Sequence, residues 1–184
     1  MTLSTIGHST HPIEEFIRML EAHGIGQLVD VRTIPRSRHN PQFNRETLAA
    51  SLGAAGIRYL HMPGLGGLRH PHKDSINTGW RNTSFRGYAD YMQTAEFREN
   101  LDHLIQRASD APTAIMCAEA VPWRCHRSLI SDALVARGVS VLEILNATKA
   151  QPHTMTPFAI VDDKQVTYPA AVQSLDLPLF SQLE

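Results

Sequence analysis

The sequence predicts an α/β protein, a mainly parallel sheet with helices on both faces, and three observations lead there. Short apolar, β-branched runs alternate with segments whose apolar residues recur at helical spacing. Glycines follow the helical segments as stops. The polar clusters of interest come directly after the strand-like runs, so they share the edge where such sheets bind ligands.

The first run, LSTI, is a strand that exits through Gly7, His8, Ser9 and Thr10. Pro12 suits a first helical turn, Ile13, Phe16, Ile17 and Leu20 form an apolar stripe, and Gly24 ends the helix. QLVDV is the second strand. A helix from about Asn44 to Ala55, stopped by Gly56, leads to the strand IRYLHM. From Pro63 to Thr83 the chain is a loop rich in Gly, His and Arg, too long for a plain connection and read as a lid or binding loop. Thr94 caps a helix with Phe97, Leu101, Leu104 and Ile105 as its apolar stripe. TAIMC, a helix from about His126 to Arg137, Gly138 and VSVLEI repeat the pattern. FAIVDDKQVTY reads as a late β-hairpin and the last residues as an extended tail, giving one domain over 1–168 and a C-terminal tail over 169–184.

A chain of 184 residues, 42% hydrophobic and 19% charged, has the size and composition of one globular domain with a full core. No run approaches the roughly 18 apolar residues of a membrane span. The amino terminus has no basic region followed by an apolar stretch, so a cytoplasmic protein without a membrane partner is expected. In a reducing compartment the two cysteines do not suggest a disulfide, and their eight-residue offset is not the Cys-x-x-Cys of a zinc site. The net charge of -1 hides an asymmetry: residues 31–88 hold nine basic side chains against two acidic ones, Glu46 and Asp74. A cationic surface there would favour anionic small molecules or nucleic acid. A mixed surface whose charges neutralise one another in space is the alternative.

Cys117 ends a buried strand, and Cys125-His126-Arg127 opens the next helix. A thiol near a helix amino terminus, beside Arg124, His126 and Arg127, is favoured as thiolate, so either cysteine suits nucleophilic chemistry; a small buried residue is the plainer reading of Cys117. Glu119, two residues past the strand, could act as acid, base or orienter of His126, or pair with Arg32 or Arg127. Metal chemistry competes: His8, His61, Glu119, Cys125 and His126 are suitable ligand types for zinc or iron, although no cofactor is required by their spacing. Asp30 and Arg32 read either as a structural salt bridge or, with Arg36, Ser37 and Arg38, as part of an oxyanion-binding loop. Gly7, His8 and Ser9 would complete the substrate side from the first strand, and His61, Gly66 and Gly67 from the third, the glycines allowing close backbone approach. His23, His103 and His153 are read as surface groups.

The segments TIGHST, LVDVRTIPRSRHNPQF, GIRYLHMPGLGG, FRGYADYM and MCAEAVPWRCHRSLI, in that order, resemble the bacterial and archaeal family of domain of unknown function 488 over roughly residues 4 to 144. That resemblance implies an α/β fold. LVDVR and the stretch from AIMC to VLEI are also similar to rhodanese-like domains, which would make Cys117 the sulfur-carrying residue; the loop here is longer and carries Glu119 and Trp123. QSLDLPLF is similar to the peptide with which bacterial DNA polymerases and repair proteins bind the replication sliding clamp, and it would present Gln173, Leu175, Leu177, Leu179 and Phe180. The same leucines could instead fold back on the domain. These features favour an enzyme that acts on an anionic substrate, nucleotide or nucleic acid, through Cys117, Glu119, Cys125, His126 and Arg127. A non-catalytic nucleic-acid adaptor and a rhodanese-like sulfur transferase are the alternatives.

Overall fold

The computed structural model describes residues 1–170. Their elements are β1 (Thr2–Gly7), α1 (Ile13–Ala22), β2 (Gln27–Asp30), α2 (Arg45–Ala54), β3 (Arg58–His61), α3 (Thr83–Tyr91), α4 (Ala95–Ala108), β4 (Thr113–Cys117), α5 (Arg127–Val135), β5 (Ser140–Asn146), β6 (Lys149–Pro152), β7 (Ile160–Asp162) and β8 (Gln165–Thr167). Six strands form one sheet in the order β3-β2-β4-β1-β5-β6, parallel except for β6, and β7 and β8 form the expected late hairpin.

The sheet is covered on both faces because successive strand residues point to opposite sides and both sides are apolar. Leu28 and Met116 face Phe16, Leu20, Leu48 and Leu52 of α1 and α2. Their neighbours Val29 and Ile115 face Tyr88, Phe97, Leu101 and Leu129 of α3, α4 and α5. Gly24, with φ of 65°, supplies the left-handed residue that ends α1. Thr94 caps α4 as expected, its hydroxyl accepting from the Phe97 amide. No helix among the described residues is long and apolar enough to cross a membrane.

Topology fixes where a ligand can go. β1 leads through α1 to β2 on one side, whereas its neighbour β4 leads through α5 to β5 on the other. The loops therefore part above β1 and β4, at a topological switch point. Register brings the four strand ends level: Gly7 pairs with Cys117, Asp30 with Met116, and Asp30 with His61.

Three parts of the chain differ from expectation. The segment around residues 83–91 is a helix, α3, capped by the Asn82 side chain on the Ser84 and Phe85 amides. Asp90 on α3 pins the preceding loop by accepting from the His72 amide, the Ser75 hydroxyl and the Asn77 side-chain amide at 2.9, 2.6 and 2.7 Å. The chain after β5 turns at Asn146 and adds the antiparallel edge strand β6. His153, expected at the surface, has a side chain only 3% exposed between the carboxylates of Asp132 and Glu143, each 2.8 Å from a ring nitrogen. The clamp-like peptide with Gln173, Leu175, Leu177, Leu179 and Phe180 lies outside the described residues.

Candidate functional site

Cys117 leaves the sheet as the last residue of β4, and the chain returns through a 3-10 turn, Pro122–Arg124, before α5 begins. That return puts Cys125 and His126 back over Cys117. The two sulfurs and a ring nitrogen of His126 lie within 4.8 Å of one another. His126 Nδ1 is 3.9 Å from Sγ of Cys117 and 3.7 Å from Sγ of Cys125. Tyr88 packs on the ring at 5.0 Å between centroids, and a Cβ on Gly67 would sit 3.2 Å from Nδ1, so Tyr88 and Gly67 both crowd the imidazole. The Cys117 thiol holds Cys125 well below the ordinary thiol range, against the effect of burial and with help from His126. The bond to Cys125, followed by burial, pushes Cys117 up.

Arg127, the first residue of α5, is fully buried and does not reach the cavity. Its guanidinium donates to the Thr5 hydroxyl at 2.7 Å and to the Glu119 carbonyl at 2.6 Å, which ties the cysteine loop to β1 and α5. Gly7 has a related task. A Cβ there would collide with the Glu119 carbonyl, so only glycine lets the loop lie on the end of β1. Gly7→Ala is expected to cost about 1–3 kcal/mol, as overpacking does, and to lift the loop. Thermal melts together with faster alkylation of Cys117 and Cys125 check it; an unchanged melt and unchanged alkylation would count against this packing.

A second buried group stands beside the first. Asp30 accepts from the Arg32 amide, Nε and NH2 at 3.0, 2.9 and 2.6 Å, and from the Tyr59 hydroxyl at 2.8 Å. Arg32 NH1 lies 3.2 Å from His8 Nε2, while His8 Nδ1 is 2.8 Å from the Ser9 carbonyl. Guanidinium can only donate, so Nε2 accepts and Nδ1 carries the proton. Burial pushes His8 down to about 4, and Arg32 adds to this. Tyr59 is raised, first by burial and then by Asp30. His61 Nε2 donates to the Arg32 carbonyl at 2.8 Å. Asp30 and Arg32 therefore form a buried ion pair that braces the edge, with His8 and His61 committed to the same arginine.

Above these groups a cavity of about 700 Å³ opens at the switch point. Cys117, Glu119, Cys125 and His126 lie in its wall, as do His8, Ser9, Arg32, Arg36, Ser37 and Gly67. Gly7, Asp30, His61, Gly66 and Arg127 are not in the wall; Gly66 packs on the Thr33 side chain too closely for a Cβ. Of the proposed ligand types, His8, His61 and Glu119 are not grouped with the two cysteines and His126. Arg36 and Arg124 are exposed wall residues, and among the described residues neither has an ion pair and Glu119 is the only carboxylate on this wall. Ser84, Phe85 and Tyr88 of α3 also line it and were not foreseen, because that helix has no aliphatic stripe to announce it.

No curated protein and no solved structure matches the chain. The family described as Domain of unknown function DUF488 does match, over residues 12–134, which carry the ends of β2, β3 and β4, the buried ion pair and both cysteines. The chain belongs to that family.

Proposed function

We propose that the protein is an enzyme that takes an anionic substrate, a nucleotide or a nucleic-acid strand, into this cavity and acts on it with the Cys117, Cys125 and His126 centre. One observation carries the reading: the same cavity of about 700 Å³ has in its wall that centre and the guanidinium groups of Arg36 and Arg124, which have no ion pair among the described residues. A space of this size is in the range of small-molecule sites. Arg36 and Arg124 attract phosphate oxygens and orient them through paired N–H donors. Arg32 contributes less, since Asp30 neutralises it. Trp123, next to Arg124 and 64% exposed, offers a face on which a nucleobase can stack. Glu119 stands where a carboxylate can take or deliver a proton.

The joint charge reversal Arg36→Glu, Arg124→Glu is expected to weaken binding of nucleoside monophosphates or a short single-stranded oligonucleotide at least tenfold. Wild-type affinity should fall steadily with added salt. Titration calorimetry over a salt series reads both, and equal affinities for the two proteins would sink the anionic substrate. Catalysis is read separately, by chromatography of the same ligands after incubation. Oligonucleotide binding with no product from any of them would leave the adaptor reading standing instead. Sulfur transfer through Cys117, which similarity to rhodanese-like domains implies, has less support, because the loop after Cys117 is longer and carries the acidic Glu119 and the bulky Trp123 where a persulfide site needs a compact ring of backbone donors.

A further inference from the structure

Two soft sulfurs and an imidazole nitrogen within 4.8 Å of one another are a donor set for a tetrahedral d-block ion. Around zinc, bonds of about 2.3 Å to sulfur and about 2.0 Å to nitrogen make the sulfur-to-nitrogen edge of the tetrahedron about 3.5 Å long. The observed separations of 3.7 and 3.9 Å are long for hydrogen bonds to sulfur and close to that edge. Oxygen-preferring ions such as magnesium and calcium gain nothing from such a set.

Each donor is held by the fold before any ion arrives. The Cys117 carbonyl accepts from the His8 amide at 3.0 Å, which fixes the end of β4. The Cys125 amide donates to the Pro122 carbonyl at 2.9 Å, closing the 3-10 turn. Tyr88 and the Gly67 backbone fix the plane of His126. The other ring nitrogen, Nε2, is buried and has no hydrogen-bond partner among the described residues. Nothing there competes for the tautomer that turns the Nδ1 lone pair toward the sulfurs. Strand-end and helix-start donors with a supported ring are a preorganised site.

We infer that Cys117, Cys125 and His126 bind one zinc-class divalent ion through Sγ, Sγ and Nδ1. All three residues line the cavity, so the unfilled fourth position opens on it. Three protein ligands and one open position are the arrangement of catalytic rather than structural zinc. Binding leaves two thiolates balancing the dication, any thiol proton going to solvent. The inference rests on the functional reading above only for its use: a metal-bound water or substrate oxygen would occupy the position that opens on the cavity whose wall also holds Arg36 and Arg124, which points to metal-assisted hydrolysis of the anionic substrate.

The test uses the full chain, kept reduced, stripped with a chelator and titrated with Co(II). One cobalt per chain should bind, with the strong visible bands of a tetrahedral ion and thiolate-to-cobalt charge transfer in the near ultraviolet, and one equivalent of Zn(II) should displace it. Cys117→Ser and Cys125→Ser should each remove about half of the charge-transfer intensity, and His126→Ala should weaken affinity well over tenfold. Should these variants fail to fold, the wild type decides alone, since Zn(II) must slow alkylation of both thiols. Thiols that react equally fast with and without Zn(II), and cobalt that keeps the pale spectrum of the aquated ion, would overturn the inference. Calorimetry with nucleoside monophosphates on metal-free protein separates the two proposals. Anion binding without metal binding overturns this one alone, and metal binding without anion affinity, in metal-free and zinc-loaded protein alike, overturns the functional reading alone.

Discussion

His153→Ala is expected to destabilise the protein by about 3–5 kcal/mol, the range for breaking a buried ion pair from one side. Its melting temperature should fall by roughly 10 °C. His153 donates through Nδ1 to Glu143 and through Nε2 to Asp132, both at 2.8 Å, and Asp132 is 0% exposed. Alanine leaves two buried carboxylates facing a hole. Asp132 would keep the Thr156 amide and hydroxyl and the Tyr168 hydroxyl at 3.1, 2.7 and 2.8 Å, and Glu143 would keep Gln151 at 3.0 Å, so the carboxylates lose their cation but not every donor. Asp132 lies on α5, Glu143 on β5 and Tyr168 just after β8. The network therefore helps fasten the late hairpin segment to the sheet, alongside the Gln93 and Asn77 contacts to Val166 and Tyr168. A melting temperature within a degree or two of wild type would refute this account.

The same histidine sets a pH dependence. Burial alone would lower its pKa, but Asp132 and Glu143 outweigh it and hold His153 up to about 9 from an ordinary 6.5. A group raised on folding stabilises fully below 6.5 and loses that contribution as pH rises through about 9. The loss should be about 3 kcal/mol. Glu143 has the opposite sign: burial opposes ionisation, yet His153 and Gln151 hold it below 4.5, so its contribution is present above 4.5 and lost as pH falls. These two groups together place maximum stability between 4.5 and 6.5. Urea denaturation at pH 6 and pH 9.5 reads the alkaline loss, and in His153→Ala that loss should vanish.

The sheet was legible because its signals are local. TAIMC is buried at every position, and Thr94 caps its own helix. The level ends of β1, β2, β3 and β4 follow from topology, which is why Gly7, Asp30, His61 and Cys117 could be assigned to one edge before any distance was known. What was not legible depends on partners distant in sequence. α3 contains Gly87, whose missing Cβ makes room for the backbone of Arg69, and its buried face is Tyr88, Ala89 and Tyr91 rather than leucines. His153 sits in the polar stretch KAQPHTM, and its burial is set by Asp132, 21 positions earlier. The cysteine centre was half visible. Proximity of Cys125 to His126 is covalent, whereas the return of both to Cys117 requires the 3-10 turn and the glycine at position 7.

Arg32→Met should cost as much as the loss of His153, about 3–5 kcal/mol, and it should be felt at the cavity wall. Asp30 is 0% and Arg32 7% exposed, so methionine strands a carboxylate with the residue 32 amide and the Tyr59 hydroxyl as its remaining donors. The Phe43 carbonyl also loses its 2.8 Å donor, Arg32 NH2, and His8 Nε2 loses NH1. His8 stacks on Phe43 at 4.2 Å, so the two losses fall on one packed pair. With the guanidinium gone and Asp30 still charged, His8 should titrate above its present value of about 4, though burial keeps it below 6.5. Urea denaturation gives the stability, and the His8 ring proton followed by NMR against pH gives the titration; a stable variant with an unmoved His8 would show that the pair does not brace the edge. Asp30→Asn in the same chain should recover part of the loss, because a neutral amide can remain buried with two donors where an unpaired carboxylate cannot. Full additivity of the two losses would mean that Asp30 and Arg32 act independently, and the 2.6 Å contact between them argues that they do not.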